Sequence, residues 1–283
     1  MTPDQFFILG AALIGLTVGS FLNVVILRLP RMMENDWRAQ CVEFMGAALK
    51  DVPTPTAERY NLAWPGSHCP QCKTPIRALD NIPVLSWLLL RGKCRHCAAR
   101  ISVRYPIIEA LTGALSACVA WHWGWGVAGV LGIVLTWALI TLCFIDADTT
   151  LLPDDITLPL LWLGLLANVW QVFVPLSEAV LGAAAGYLFL WSVYWLFKLV
   201  TGKEGMGYGD FKLLAALGAW FGWKMLLPII LLSSVVGAVV GVVLIVLARH
   251  GKDIPIPFGP YLTAAGFLAL IYGPALMRTF ALA

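Results

Sequence analysis

Charge is scarce in this chain of 283 residues: Lys, Arg, Asp and Glu make up only 12% of it, about half the share found in a soluble domain. With 60% hydrophobic residues and a mean hydropathy of +0.81, that scarcity points to a membrane protein. Other things are missing too. Asp4, not a basic segment, precedes the first apolar run, and no small-residue cleavage site follows it. The run is therefore expected to be a retained anchor and not a cleaved signal peptide. No strand leads into a G-x-G-x-x-G turn with an acidic residue beyond it, which excludes a dinucleotide-type cofactor fold. No Ser-His-Asp or Cys-His pairing stands out: His122 sits between Trp121 and Trp123, and His250 is isolated near the end of a run.

What the chain does have is apolar runs of spanning length, about 20 residues each. Seven are clear, at 6–27, 106–123, 126–145, 156–174, 179–197, 226–248 and 258–280. An eighth, 211–223, is too short for a comfortable span and reads as a tilted or re-entrant piece, tolerated where it packs inside protein. The expected fold is all-α and polytopic, with about eight transmembrane or partly embedded helices.

The few charges are unevenly spread. Residues 28–104 hold 12 of the 19 Lys and Arg but 6 of the 16 Asp and Glu, a local net of +6 against −3 elsewhere. A cytoplasmic loop beside anionic lipid explains this more simply than nucleic-acid binding, so no nucleic-acid partner is expected. Three regions follow: an anchor at 1–28, a cytoplasmic loop at 29–104 and a membrane bundle at 105–283. Following the spans alternately puts Asp146 and Asp210 on the cytoplasmic face. If 211–223 crosses, Arg249 and Lys252 return to that face as well, which the charge rule favours. In the anchor, Gly15-x-x-x-Gly19 allows close helix contact, and Asn23 suits an interhelical hydrogen bond. At the start of the loop, Met33, Trp37, Cys41, Phe44, Met45 and Ala48 recur at helical spacing.

Four of the seven cysteines form two knuckles, Cys69-Pro-Gln-Cys72 and Cys94-Arg-His-Cys97, with 21 residues between them. Each C-x-x-C can point two thiolates at one tetrahedral ion, and two such pairs close a structural Zn²⁺ site in a zinc-ribbon-like loop. A disulfide framework fits less well, because cytoplasmic thiols stay reduced. Between the knuckles, residues 84–90 make an apolar patch suited to lying on the bilayer or the bundle.

The chemistry-bearing acids fall in two places. Asp146 ends an apolar run and opens Asp146-Ala-Asp148-Thr-Thr-Leu-Leu-Pro-Asp154-Asp155; Asp210 closes Gly205-Met-Gly-Tyr-Gly209 and precedes Phe211-Lys212. Acids at membrane depth are costly and are functional candidates by default. Asp148 and Asp155 read as solvated interfacial residues, while Asp154, after Pro153, is either a helix-start residue or a site residue. The three alternate glycines before Asp210 let backbone approach closely, as an extended substrate lying across a carboxylate requires. Two carboxylates sharing a site cannot both ionise cheaply. One stays protonated and donates to a carbonyl while the other activates water. An ion or proton relay in a transporter is the competing reading of the same acids, but it leaves the glycine loop and the knuckles unexplained.

Taken in order, Gly19-Ser-Phe-Leu-Asn23, the two knuckles, Arg104-Tyr-Pro-Ile-Ile-Glu109, Asp146 to Asp154, Gly205-Met-Gly-Tyr-Gly-Asp-Phe-Lys212 and Pro257-Phe-Gly-Pro260 make the chain resemble the type IV prepilin peptidases. The Gly207-Tyr-Gly-Asp210 stretch is also similar to the glycine–aspartate motif of presenilin-type proteases. The prepilin resemblance implies that Asp146 and Asp210 are the catalytic aspartates of a multi-pass enzyme of the bacterial inner membrane. Its substrates would be type IV prepilins or type II secretion pseudopilins, cut on the cytoplasmic side after the glycine that ends a basic leader. The new amino terminus would then be N-methylated from S-adenosylmethionine. Gly92 and Glu109 are the residues beside which that cofactor would be sought, although Glu109 is equally placed to pair with Arg104.

Overall fold

The computed structural model describes residues 2–45, 60–247 and 256–280. Among these residues the regular structure is helical. It comprises α1 (Pro3–Met45), a 3-10 turn (Ala78–Asn81), α2 (Leu85–Leu89), α3 (Arg104–Trp123), α4 (Val127–Thr149), α5 (Asp154–Val169), α6 (Leu176–Thr201), α7 (Tyr208–Phe221), a second 3-10 turn (Trp223–Met225), α8 (Leu226–Leu247) and α9 (Gly259–Thr279). The eight long helices match the expected count. Arg249 and Lys252, used above to weigh the topology, lie outside the described residues, as does the 46–50 part of the expected helix at the start of the loop.

Among the described residues, five helices are long and apolar enough to cross a membrane: Pro3–Phe44, Val127–Thr149, Leu176–Thr201, Trp223–Leu244 and Gly259–Thr279. The protein is therefore a multi-pass membrane protein, but with five such helices where seven clear spans were expected. The difference has two causes. Arg104 and Glu109 interrupt the apolar character of α3. The run at 156–174 supplies only the 16-residue α5, a rise of about 24 Å that falls short of a hydrocarbon core about 30 Å thick.

The chain divides into two compact units, Ile8–Ala117 and Met1–Phe7 with Cys118–Ala283. In the smaller unit, α1 and α3 meet through small residues. A methyl on Gly15 would stand 2.9 Å from the Gly113 Cα, and one on Gly19 would stand 2.8 Å from the Glu109 Cα. The GxxxG spacing thus brings two backbones together. Asn23 ties the pair, its Nδ2 donating to the Gly19 and Tyr105 carbonyls, each at 3.2 Å. The helix does not stop at Arg28, where the charges begin: α1 continues through Pro30 to Met45. Arg28 is itself buried and donates to the carbonyls of Asn61, Leu62 and Pro65, which pins the returning loop to the helix.

The larger unit is built around α7. From Asp210 on, all but Lys212 of its residues are buried, the pattern of a helix enclosed by other helices. That enclosure makes a 14-residue helix tolerable in a bilayer, as expected for the short apolar run. On one side α6 comes so close that a methyl on Gly182 or Gly218 would collide with the other glycine's carbonyl oxygen. On another side Trp220 lies against Gly164 of α5 and donates from Nε1 to the Leu160 carbonyl at 2.9 Å. Asn168 completes that seam. It donates to the carbonyls of Ala219 and Trp220 and accepts from the amides of Phe173 and Val174.

Candidate functional site

Burial sorts the acids of the larger unit. Asp146 and Asp210 are 4% and 7% exposed, whereas Asp148, Asp154 and Asp155 are exposed. Helix ends carry the buried pair. Asp146 lies in the last turn of α4, which a left-handed Thr150 terminates, its amide donating to the Asp146 carbonyl at 2.8 Å. Asp210 lies in the first turn of α7, just after the glycine-rich loop that ends at Gly207. Gly209 is required by contact, because a methyl there would meet the Leu152 Cβ at 2.7 Å. The two carboxylates are close enough for the charge of Asp146 to act on Asp210.

The third contributor is the start of α9. The Gly259 amide donates to Asp146 Oδ2 at 2.8 Å, and a Cβ at Gly259 would stand 2.6 Å from that oxygen. Glycine is needed here for approach, and Pro260 behind it suits the first turn of a helix. A carboxylate in the last turn of α4 faces the negative end of its own helix; the amide-rich start of α9 offsets this. Asp210 differs: its Oδ1 is buried with no hydrogen-bond partner. Pro257-Phe-Gly-Pro260 was legible as a motif but carried no role, and Gly259 was missed as a site residue. The signal was a Gly-Pro pair opening a helix.

Asp154 opens α5 and takes Lys212 of α7 in an ion pair, 2.7 Å to both carboxylate oxygens. Asp154 starts the helix, but Pro153 holds the cap position and no side-chain capping bond is made, so the acid does not act as the expected cap; its pairing is a strut between α5 and α7.

In the smaller unit the two knuckles fold alike. In each, the first cysteine's amide donates five residues on, from Cys69 to Thr74 at 2.9 Å and from Cys94 to Ala99 at 2.8 Å. Its carbonyl accepts from the residue four on, Lys73 or Ala98, both at positive φ of 58° and 56°. The four sulfurs lie within 4.8 Å of one another, Cys69 and Cys97 at 3.7 Å. A tetrahedral ion with about 2.3 Å bonds to sulfur spaces its ligands about 3.8 Å apart, so the donor set fits. Hydrogen bonding to Thr74 brings the Cys72 thiol down to about 6. At Cys97 the Ala99 amide acts in the same direction, but burial and the other three sulfurs prevail and push the thiol up to about 11.

Gly92 and Glu109 sit at the two ends of α2. The Val84 amide, before the helix, donates to Glu109 Oε2 at 2.7 Å, with Val84 held at a φ of 58°. At the other end Gly92, at a φ of 66°, lies under the Trp87 ring. Both residues serve to hold this short helix, whose Leu85, Leu88 and Leu89 are exposed.

Residues 13–123 match the bacterial peptidase A24 N-terminal domain, and residues 133–242 match the type IV leader peptidase family. Among curated proteins, the chain is similar to the prepilin leader peptidase/N-methyltransferase of Aeromonas salmonicida strain A449, 57% identical over 95% of this chain and 91% of that one. The proteins of the same name from Stutzerimonas stutzeri and Pseudomonas aeruginosa are 53% and 54% identical. They cover 99% and 97% of this chain and 98% and 93% of their own lengths. No solved structure matches.

Proposed function

Since this chain belongs to the type IV leader peptidase family, we propose that it is a membrane aspartic endopeptidase that removes the leader of prepilins and N-methylates the residue then exposed. Asp146 and Asp210 are the catalytic pair. The observation that carries the proteolytic half is their joint burial, which none of the neighbouring acids shares. Two nearby carboxylates in a buried site hold one proton between them at neutral pH. The protonated member polarises the scissile carbonyl, and the ionised one takes a proton from the attacking water.

The substrates in this reading are type IV prepilins or type II secretion pseudopilins, each with a basic leader followed by an apolar helix. The excess of Lys and Arg at 28–104 supports an enzyme of the bacterial inner membrane with that segment, and the aspartates, at the cytoplasmic face. The exposed leucines of α2 then lie on lipid.

Cys69, Cys72, Cys94 and Cys97 would hold Zn²⁺. Four thiolates leave no open position, so the ion supplies structure to a loop of few buried residues. The methyl donor in this reading is S-adenosylmethionine, with Gly92 and Glu109 beside it. Both are engaged in holding α2.

Cleavage of a purified prepilin by the wild type, Asp146→Asn and Asp210→Asn tests the pair. Both variants are expected to lose at least about a hundredfold in rate, the scale of positioned acid–base catalysis, while still methylating a pre-cut pilin. Wild-type cleavage by either variant rules the pair out.

A further inference from the structure

A symmetric pair of aspartates leaves open which one is acid and which is base, because such groups titrate as a unit. Here the surroundings are not symmetric. We propose that the backbone amide of Gly259 divides the labour: it fixes Asp146 as the carboxylate that activates water and leaves Asp210 as the proton-bearing acid. This rests on the reading of the two aspartates as the catalytic pair and deepens it. Gly259 is a positioning residue, acting through Asp146.

Two observations carry the assignment. Asp146 Oδ2 accepts the Gly259 amide at 2.8 Å; an N–H donor stabilises the ionised form of a carboxyl and offers nothing to its hydroxyl. That amide belongs to the first residue of α9, which offsets the negative end of α4 at Asp146; Asp210 lies in the first turn of α7 with the Gly207 backbone beside it, so helix ends do not separate the pair. Asp210 Oδ1 is buried with no partner, an arrangement costly for an anion and much less so for a neutral carboxyl. The groups around Asp146 do not reverse this. From α7 it is faced by Asp210, and on α4 itself by Cys143. From α9 it meets the Gly259 backbone, and Lys212 is committed to Asp154 of α5.

The reaction balances with water as the only co-reactant. Asp146 takes one proton from water as the water oxygen bonds to the scissile carbonyl carbon. Asp210 gives its proton to the carbonyl oxygen. On collapse the C–N bond breaks, Asp146 passes its proton to the departing amine, and a hydroxyl proton of the diol returns to Asp210. One acid and one amine result, and both aspartates are reset.

Gly259→Ala provides the test, because its methyl must displace Asp146 Oδ2 from the amide. The acid limb of the cleavage pH profile is expected to move up by about one pH unit, equal to about tenfold less activity on that limb, with the alkaline limb unmoved. Gly266→Ala is the control on the same helix: its methyl would press on the Leu217 side chain at 2.6 Å, away from the pair. It is expected to lower thermal stability and leave the profile alone. A wild-type profile in Gly259→Ala overturns the proposal, as does an equal displacement in both variants.

Labelling with dicyclohexylcarbodiimide, which attacks protonated carboxyls, reads the same division without turnover and serves even if Gly259→Ala is too slow to profile. The wild type is expected to be labelled on Asp210, and Gly259→Ala increasingly on Asp146. Wild-type labelling of Asp146 at least as fast as Asp210 overturns the proposal. Full cleavage by Asp146→Asn or Asp210→Asn would instead fail the catalytic reading. Two inactive Asn variants with an unaltered Gly259→Ala fail this inference alone.

Discussion

The knuckle region and the aspartate bundle hold their functional side chains by opposite means. In the knuckles, backbone hydrogen bonds within six residues shape each cysteine pair, and the four sulfurs draw on almost no apolar core: Cys69 is buried, but the residues around it are largely exposed. In the bundle, Asp146 and Asp210 come from helices 64 positions apart and are fixed by close packing along the whole length of α7. Local geometry with an ion to close it can be small and polar. A site assembled from distant helices needs an enclosing core.

Removing the proposed Zn²⁺ should break that contrast most sharply. With a chelator, or in Cys94→Ser, amide hydrogen exchange is expected to rise strongly through 67–101 while α4, α7 and α9 stay protected. Structural zinc contributes on the order of 10 kcal/mol to small folds. Equal loosening of both regions, or metal content near zero in the purified wild type, removes the basis for the comparison. A middle-sized effect tests the bundle: Trp220→Phe deletes the buried hydrogen bond to the Leu160 carbonyl. The cost is expected at about 1–3 kcal/mol, read as a lower midpoint in thermal unfolding, with the knuckles unaffected. The smallest concerns the strut beside the site. Lys212→Ala is expected to cost less than about 1 kcal/mol, because Asp154 is half exposed at 51% and such pairs are screened. A large loss there would mean that the ion pair, and not packing, positions α7.

Much of this could be read in advance, unevenly. The knuckles were legible in full, since C-x-x-C spacing is itself the local geometry. The buried central helix was visible as an apolar run too short to span. Helix ends were harder. The charges at Arg28 and Arg31 mark a change of surroundings, and α1 runs through them because neither they nor Pro30 interrupts the helix far enough to end it. Apolar run length overstated the spans, because the run at 156–174 continues past the end of α5 into loop. Asp146 and Asp210 stood out as costly acids, but their proximity depends on how α4 and α7 pack, which no spacing encodes. The amide of Gly259 lay further from view, since a backbone group has no letter of its own.

The contact between Gly182 and Gly218 has a mechanical consequence. Two helices touching backbone to backbone there, and again where Gly186 meets the Leu214 carbonyl, are keyed together like a ratchet with its pawl engaged. Sliding α7 by a single turn would bring a side chain to a place where there is room for none. Asp210 is thus held fixed in the bundle, and in the proposed reading the travel needed to bring peptide bond and carboxylate together falls to the incoming chain.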